Sequence, residues 1–121
     1  MLTGGTSKTI IAHHIEWMKT PQSRARGLLK YSQSPTSHAA IFELPLNGFL
    51  PLVHTFGMKF PIDILFLDRE QRVRWMKRSV PSSRFVFPWA RALGGLPYLV
   101  EVCKGDTAHL QVGDQLQWGE A

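Results

Sequence analysis

Residues 62–80 read Ile62-Asp63-Ile64-Leu65-Phe66-Leu67-Asp68-Arg69-Glu70-Gln71-Arg72-Val73-Arg74-Trp75-Met76-Lys77-Arg78-Ser79-Val80, and this stretch decides the fold. The apolar run Ile64 to Leu67 is short and rich in β-branched and aromatic residues, which is the signature of a strand. Asp68-Arg69-Glu70-Gln71 is a polar turn. Beyond it the composition alternates, with Val73, Trp75 and Lys77 on one face and Arg72, Arg74, Met76 and Arg78 on the other. The economical arrangement is a hairpin with arms Ile62–Asp68 and Arg72–Arg78.

Outward from the hairpin the chain repeats this grammar. Lys8–Ile15, Ala39–Leu44, Leu50–Thr55, Tyr98–Cys103 and Gln115–Trp118 read as further short strands separated by Pro, Gly and polar punctuation. Thr20 followed by Pro21 has the form of a helix start, giving one short helix to about Arg26. Asp106–Leu110 has room for a single helical turn. Residues 1–7, rich in Gly, Ser and Thr, are expected to be flexible, leaving 8–121 as one domain. Pro81–Pro97 holds three prolines, a Gly94-Gly95 pair and several aromatics, as a long ordered loop does. The predicted fold class is mainly β: a compact sandwich or barrel-like single domain with one or two short helices. Strand and helix do not alternate and no Gly-rich phosphate loop occurs, so a nucleotide-binding α/β domain is not expected.

The chain has 121 residues, 44% of them hydrophobic, enough for a core without staples. Cys103 is the single cysteine, which excludes an intrachain disulfide. The run Ile10-Ile11-Ala12 stops at His13, short of a signal-peptide core, and no segment has the length to span a bilayer; a soluble, cytoplasmic protein is expected. The adjacent pair His13 and His14 points to opposite faces of a strand and is not a chelating pair. The net charge is +5. Part of the basic excess falls between Arg69 and Arg91, interleaved with Trp75, Phe85 and Trp89, a pattern that suits single-stranded nucleic acid but reads first as alternating charge that keeps a half-exposed sheet edge soluble.

Three blocks carry a family resemblance: Arg24-Ala25-Arg26-Gly27-Leu28-Leu29; His54-Thr55-Phe56-Gly57-Met58-Lys59-Phe60-Pro61-Ile62-Asp63-Ile64-Leu65-Phe66-Leu67-Asp68; and Leu99-Val100-Glu101-Val102 with Gly105, Leu110 and Gly113-Asp114. In this order they resemble domain of unknown function family 192, also called uncharacterised protein family 0127. The resemblance implies a compact β-rich fold and no established activity. Cys103-Lys104-Gly105-Asp106 departs from the small residues usual in that family's glycine turn, and the Pro81–Pro97 loop is particular to this chain.

Physically, the middle block offers an imidazole at His54, a thioether at Met58 and a carboxylate at Asp63 around a turn tightened by Gly57 and Pro61. Asp63 heads an apolar run and Glu101 interrupts one, so both carboxylates need partners, for which Arg24 or Arg26 is suited. Glu101 shares its face with Leu99 and Cys103. The leading expectation is a binding module for a small polar ligand, a saccharide, peptide or polar metabolite, with a pocket of Arg26, His54, Met58, Asp63 and Glu101. One alternative is a hydrolase- or lyase-like enzyme with Asp63, Glu101 and His54 as candidate catalytic groups. Another is nucleic-acid binding through residues 69–91. A structural ion-pair network uses the same residues. His54, Met58 and Asp63 mix soft and hard ligands without a recognised metal spacing, so no metal and no cofactor are expected. Cys103, beside Val102, reads as a small buried hydrophobe, and the four tryptophans as packing more than as a sugar platform.

Overall fold

The computed structural model describes residues 1–6, 8–20, 27–43, 53–54, 58–81, 85–86 and 96–118. Among these described residues ten strands occur, in chain order β1 (Leu2–Gly4), β2 (Thr9–Ala12), β3 (His14–Met18), β4 (His38–Glu43), β5 (Val53–His54), β6 (Ile62–Leu67), β7 (Val73–Val80), β8 (Phe85–Val86), β9 (Tyr98–Cys103) and β10 (Leu116–Trp118), with one 3₁₀ helix at Gly27–Lys30. They form a five-stranded sheet ordered β3-β4-β9-β6-β7, a three-stranded sheet ordered β10-β1-β2, and the pair β5-β8. All pairings are antiparallel except β3 with β4. The mainly β single-domain architecture expected from the sequence is therefore the one observed.

The three inner strands of the large sheet, β4, β9 and β6, carry apolar side chains on both faces. That is why AAIF, YLVEVC and ILFL are near-continuous apolar runs rather than alternating ones. One core lies on one face and includes Met18, Ala40, Phe42, Ile64, Phe66, Leu99 and Cys103. The other joins Ala39, Ile41, Leu65, Leu67, Val100 and Val102 to Leu2, Ile11 and Leu116 of the small sheet. The second core is thus the filling between two sheets.

Several elements differ from the sequence reading. Leu2–Gly4, inside the stretch expected to be flexible, is a strand paired on both sides, and Leu2 is fully buried. Lys8–Ile15 is broken at His13, where His13 and His14 both donate to the Ser37 carbonyl and the chain passes from the small sheet to the large one. The Asp106–Leu110 segment closes as a turn, with Leu110 N–H donating to the Thr107 carbonyl. Thr20–Arg26 lies largely outside the described residues, as does most of Pro81–Pro97.

The hairpin is as expected, and Asp68 organises its turn. Its Oδ1 accepts from the Glu70 and Arg72 amides at 3.0 and 2.9 Å and its Oδ2 from Arg74 Nε at 2.7 Å. Burial alone would raise this carboxyl, but those donors hold it below the ordinary value.

Candidate functional site

β7 carries two irregularities against β6. Phe66 faces Trp75 and Leu67 faces Val73, leaving Arg74 as an extra residue. Ile64 faces Lys77 and Ile62 faces Val80, leaving Arg78 and Ser79 opposite the single residue Asp63. Each is a β-bulge, a device that re-aims side chains at the rim of a sheet. Ser79 takes a left-handed backbone (φ 52°). Asp63 secures it: Oδ1 accepts from the Ser79 amide at 2.8 Å, and Oδ2 accepts from the Thr107 hydroxyl at 2.8 Å. Arg78 completes the ring by donating to the carbonyls of Thr107 (2.8 Å) and Leu110 (2.7 Å).

Beside this network, where β6 begins and β9 ends, lies a cleft of about 320 Å³. Its polar lining is Ser34, Asp63, Ser79 and Lys104, and Phe60, Ile62 and Val102 supply apolar wall. Lys104, like Ser79, is left-handed (φ 47°). Gly105 closes one side and must be glycine: a Cβ there would stand 2.4 Å from Val102 Cγ1 and 2.5 Å from the Ile11 carbonyl oxygen.

Glu101 is elsewhere. It pairs with Ala40 and Ile64, whose side chains belong to the first core, while Asp63 pairs with Val102 of the second. Paired residues share a face. The two carboxylates are therefore near neighbours along the sheet but project from opposite faces, and they do not form one pocket. Glu101 is 7% exposed, has no hydrogen-bond or ion-pair partner among the described residues, and burial pushes its pKa up to about 7. Met58 is buried in the first core, on the Glu101 side. His54 pairs through its backbone with Phe85 in β8. Arg24 and Arg26 lie outside the described residues, so the expected pairing of a guanidinium with either carboxylate lies outside them too.

Cys103 is fully buried, and its thiol is pushed up to about 12, by burial first and then by the charges of Glu101 and Asp63. It is not an activated nucleophile. No group of three His, Cys, Asp or Glu side chains suited to a metal occurs among the described residues.

The sequence reading missed a polar cluster on the same face as Glu101. Glu16 Oε1 accepts from the Tyr31 hydroxyl at 3.0 Å and lies 3.0 Å from His38 Nε2, while Lys30 pairs with Oε2. Burial works to raise Glu16, but these partners outweigh it and hold the carboxyl below its ordinary value. The only signal in sequence was a glutamate inside the strand HIEWM; its partners come from two other segments.

The basic stretch is largely committed to the fold. Arg74 pairs with Asp68, Arg78 with two carbonyls, and Arg72 Nη1 reaches the Gly113 carbonyl at 3.5 Å. Arg84, Arg91 and Trp89 lie outside the described residues. Among the tryptophans, Trp118 meets Trp17 and Tyr98 edge to face, at 5.6 and 5.1 Å between centroids. Rings so arranged pack against one another and present no common stacking plane.

Comparison with known proteins agrees with this architecture. The chain is 31% identical over 121 residues to a UPF0127 protein of Thermococcus sibiricus, an alignment covering 98% of this chain and 74% of that one. A protein of unknown function from Novosphingobium aromaticivorans superposes with a TM-score of 0.75 at 20% identity, over 97% of this chain and 83% of that one. A putative transcription regulator from Sinorhizobium meliloti superposes with a TM-score of 0.65 at 20% identity, over 85% and 79%. No helix among the described residues is long and apolar enough to cross a membrane. The family model described as "Uncharacterized ACR" matches residues 3–118, and the chain belongs to that family, DUF192.

Proposed function

We propose that the domain binds a small polar ligand in the cleft beside Asp63. The observation that carries this reading is the composition of the cleft wall. An aspartate, a lysine and two serines line about 320 Å³ of concave space with an apolar wall, near the lower end of the roughly 300–1,000 Å³ typical of small-molecule sites. Two of the lining residues, Ser79 and Lys104, are held in a backbone conformation that costs about 1 kcal/mol each for a side chain with a Cβ. Such strain collects where a surface is shaped for contact.

The test is an amide-resolved NMR titration with a panel of sugars, amino acids, short peptides and small carboxylic acids. Saturable shifts at Ser34, Ser79, Lys104 and Gly105, abolished by the cleft-filling Ser34→Tyr in a protein that keeps its dispersed spectrum, are expected. Absence of a saturable shift with every panel member overturns the reading.

A second reading rests on Glu101. A buried carboxyl without a partner among the described residues, its pKa raised to about 7, suits proton transfer near neutrality, as in a hydrolase- or lyase-like reaction. It predicts turnover lost in Glu101→Gln with cleft binding unchanged; turnover retained in that variant removes it.

A further inference from the structure

The charges of the cleft, taken with the proposed binding function on which this step rests, narrow the ligand class. Asp63 and Lys104 both line the cleft, yet no ion pair joins them. Both donors to Asp63, the Ser79 amide and the Thr107 hydroxyl, are neutral. The carboxylate is thus fixed in place while no cation among the described residues pairs with it, and these two donors leave each oxygen a further lone-pair direction. Lys104 is exposed, and its ammonium has no partner among the described residues. Its backbone is anchored by the Ser37 amide, which donates to the Lys104 carbonyl at 3.2 Å.

One positive and one negative residue lining the same cleft, not paired with each other, are complementary to a ligand that carries both signs. A purely anionic ligand would leave Asp63 opposing it, and a purely cationic one would meet Lys104. Among the described residues a neutral sugar finds no open ring face: Phe60, the one aromatic residue they give the lining, is 9% exposed.

We infer that the cleft takes a small zwitterion, a free amino acid or short peptide, with its carboxylate on Lys104 and its ammonium on Asp63.

The experiment compares alanine, leucine and dialanine with their N-acetylated and C-amidated forms, by the same NMR titration and by calorimetry at low salt. The free forms are expected to bind roughly 3- to 10-fold more tightly than either blocked form, the scale of one partly exposed ion pair. Lys104→Gln is expected to erase the difference between free acid and amide while leaving the effect of acetylation. Asp63→Asn is expected to do the reverse. Should that variant fail to fold, the blocked ligands on the unaltered protein still decide. Equal binding of free and blocked forms, or binding of neutral sugars alone at the cleft, overturns the zwitterion inference and leaves the cleft reading standing. No binding by any compound, sugars and simple carboxylic acids included, overturns both.

Discussion

Glu101 sits at the middle of the central strand of the large sheet, between the methyl of Ala40 and the side chain of Ile64, with no hydrogen-bond or ion-pair partner among the described residues. Its pKa rises from 4.5 to about 7 through burial alone. The folded state therefore binds a proton that the unfolded chain releases near 4.5. This favours folding fully below that value, and the advantage is lost as pH rises through about 7. Over that window the group costs on the order of 3 kcal/mol of stability, taking about 1.4 kcal/mol per pH unit. Urea denaturation of the wild type at pH 5 and pH 8, set against Glu101→Gln, is expected to show a decline toward pH 8 that the variant lacks; an identical pH dependence in both would refute the assignment. The burial of Glu101 was legible in sequence, because Val100 and Val102 flank it, and so was its face, shared with Cys103. Its relation to Asp63 was not: the phase between β6 and β9 is fixed by pairing across strands distant in sequence, and neither strand carries that information alone.

The bulges show the same limit for elements. Strict alternation along β7 puts Val73 and Trp75 on one face, but Val73 packs in the second core and Trp75 against the first. The extra residue at Arg74 shifts the phase between them. Nothing in VRWMKRSV marks this, since a bulge is a relation to the neighbouring strand. The second bulge is braced by Asp63, whose carboxylate accepts from both the Ser79 N–H and the Thr107 hydroxyl. Asp63→Ala is expected to destabilise the domain by about 1–3 kcal/mol, the cost of stranding such donors. The Ser79 amide should lose protection in hydrogen exchange while the β4-β9 ladder keeps it. Unchanged protection at Ser79 would show that the bulge is held by other means. The hairpin itself was readable because its determinants are local: an apolar run, a turn whose Asp68 caps its own amides, and a basic edge.

At the scale of the molecule, two cores share one sheet, and the thin three-stranded sheet roofs the second. Tyr98–Cys103 was read from sequence with its observed bounds, since its apolar run is bounded by polar residues on the exit side. Leu2–Gly4 was not, since Thr3, Gly4 and Gly5 resemble a frayed end and only the roof gives them a place. Gly4 is there for closeness: a Cβ would lie 2.3 Å from Leu116 Cδ2. Leu2→Ala is expected to cost about 2–5 kcal/mol, as for other buried leucines, measured by thermal or urea unfolding; a loss under 1 kcal/mol would show the roof to be dispensable. Leu2 lies opposite Trp118 in that roof, so β1 and β10 meet across almost the whole intervening chain. A contact of such sequence separation forms late and slowly. While the polypeptide leaves the ribosome, β1 has β2 for company but lacks its other neighbour until β10 emerges, and the apolar underside of the roof stays open to misdirected association throughout the synthesis of the strands between them.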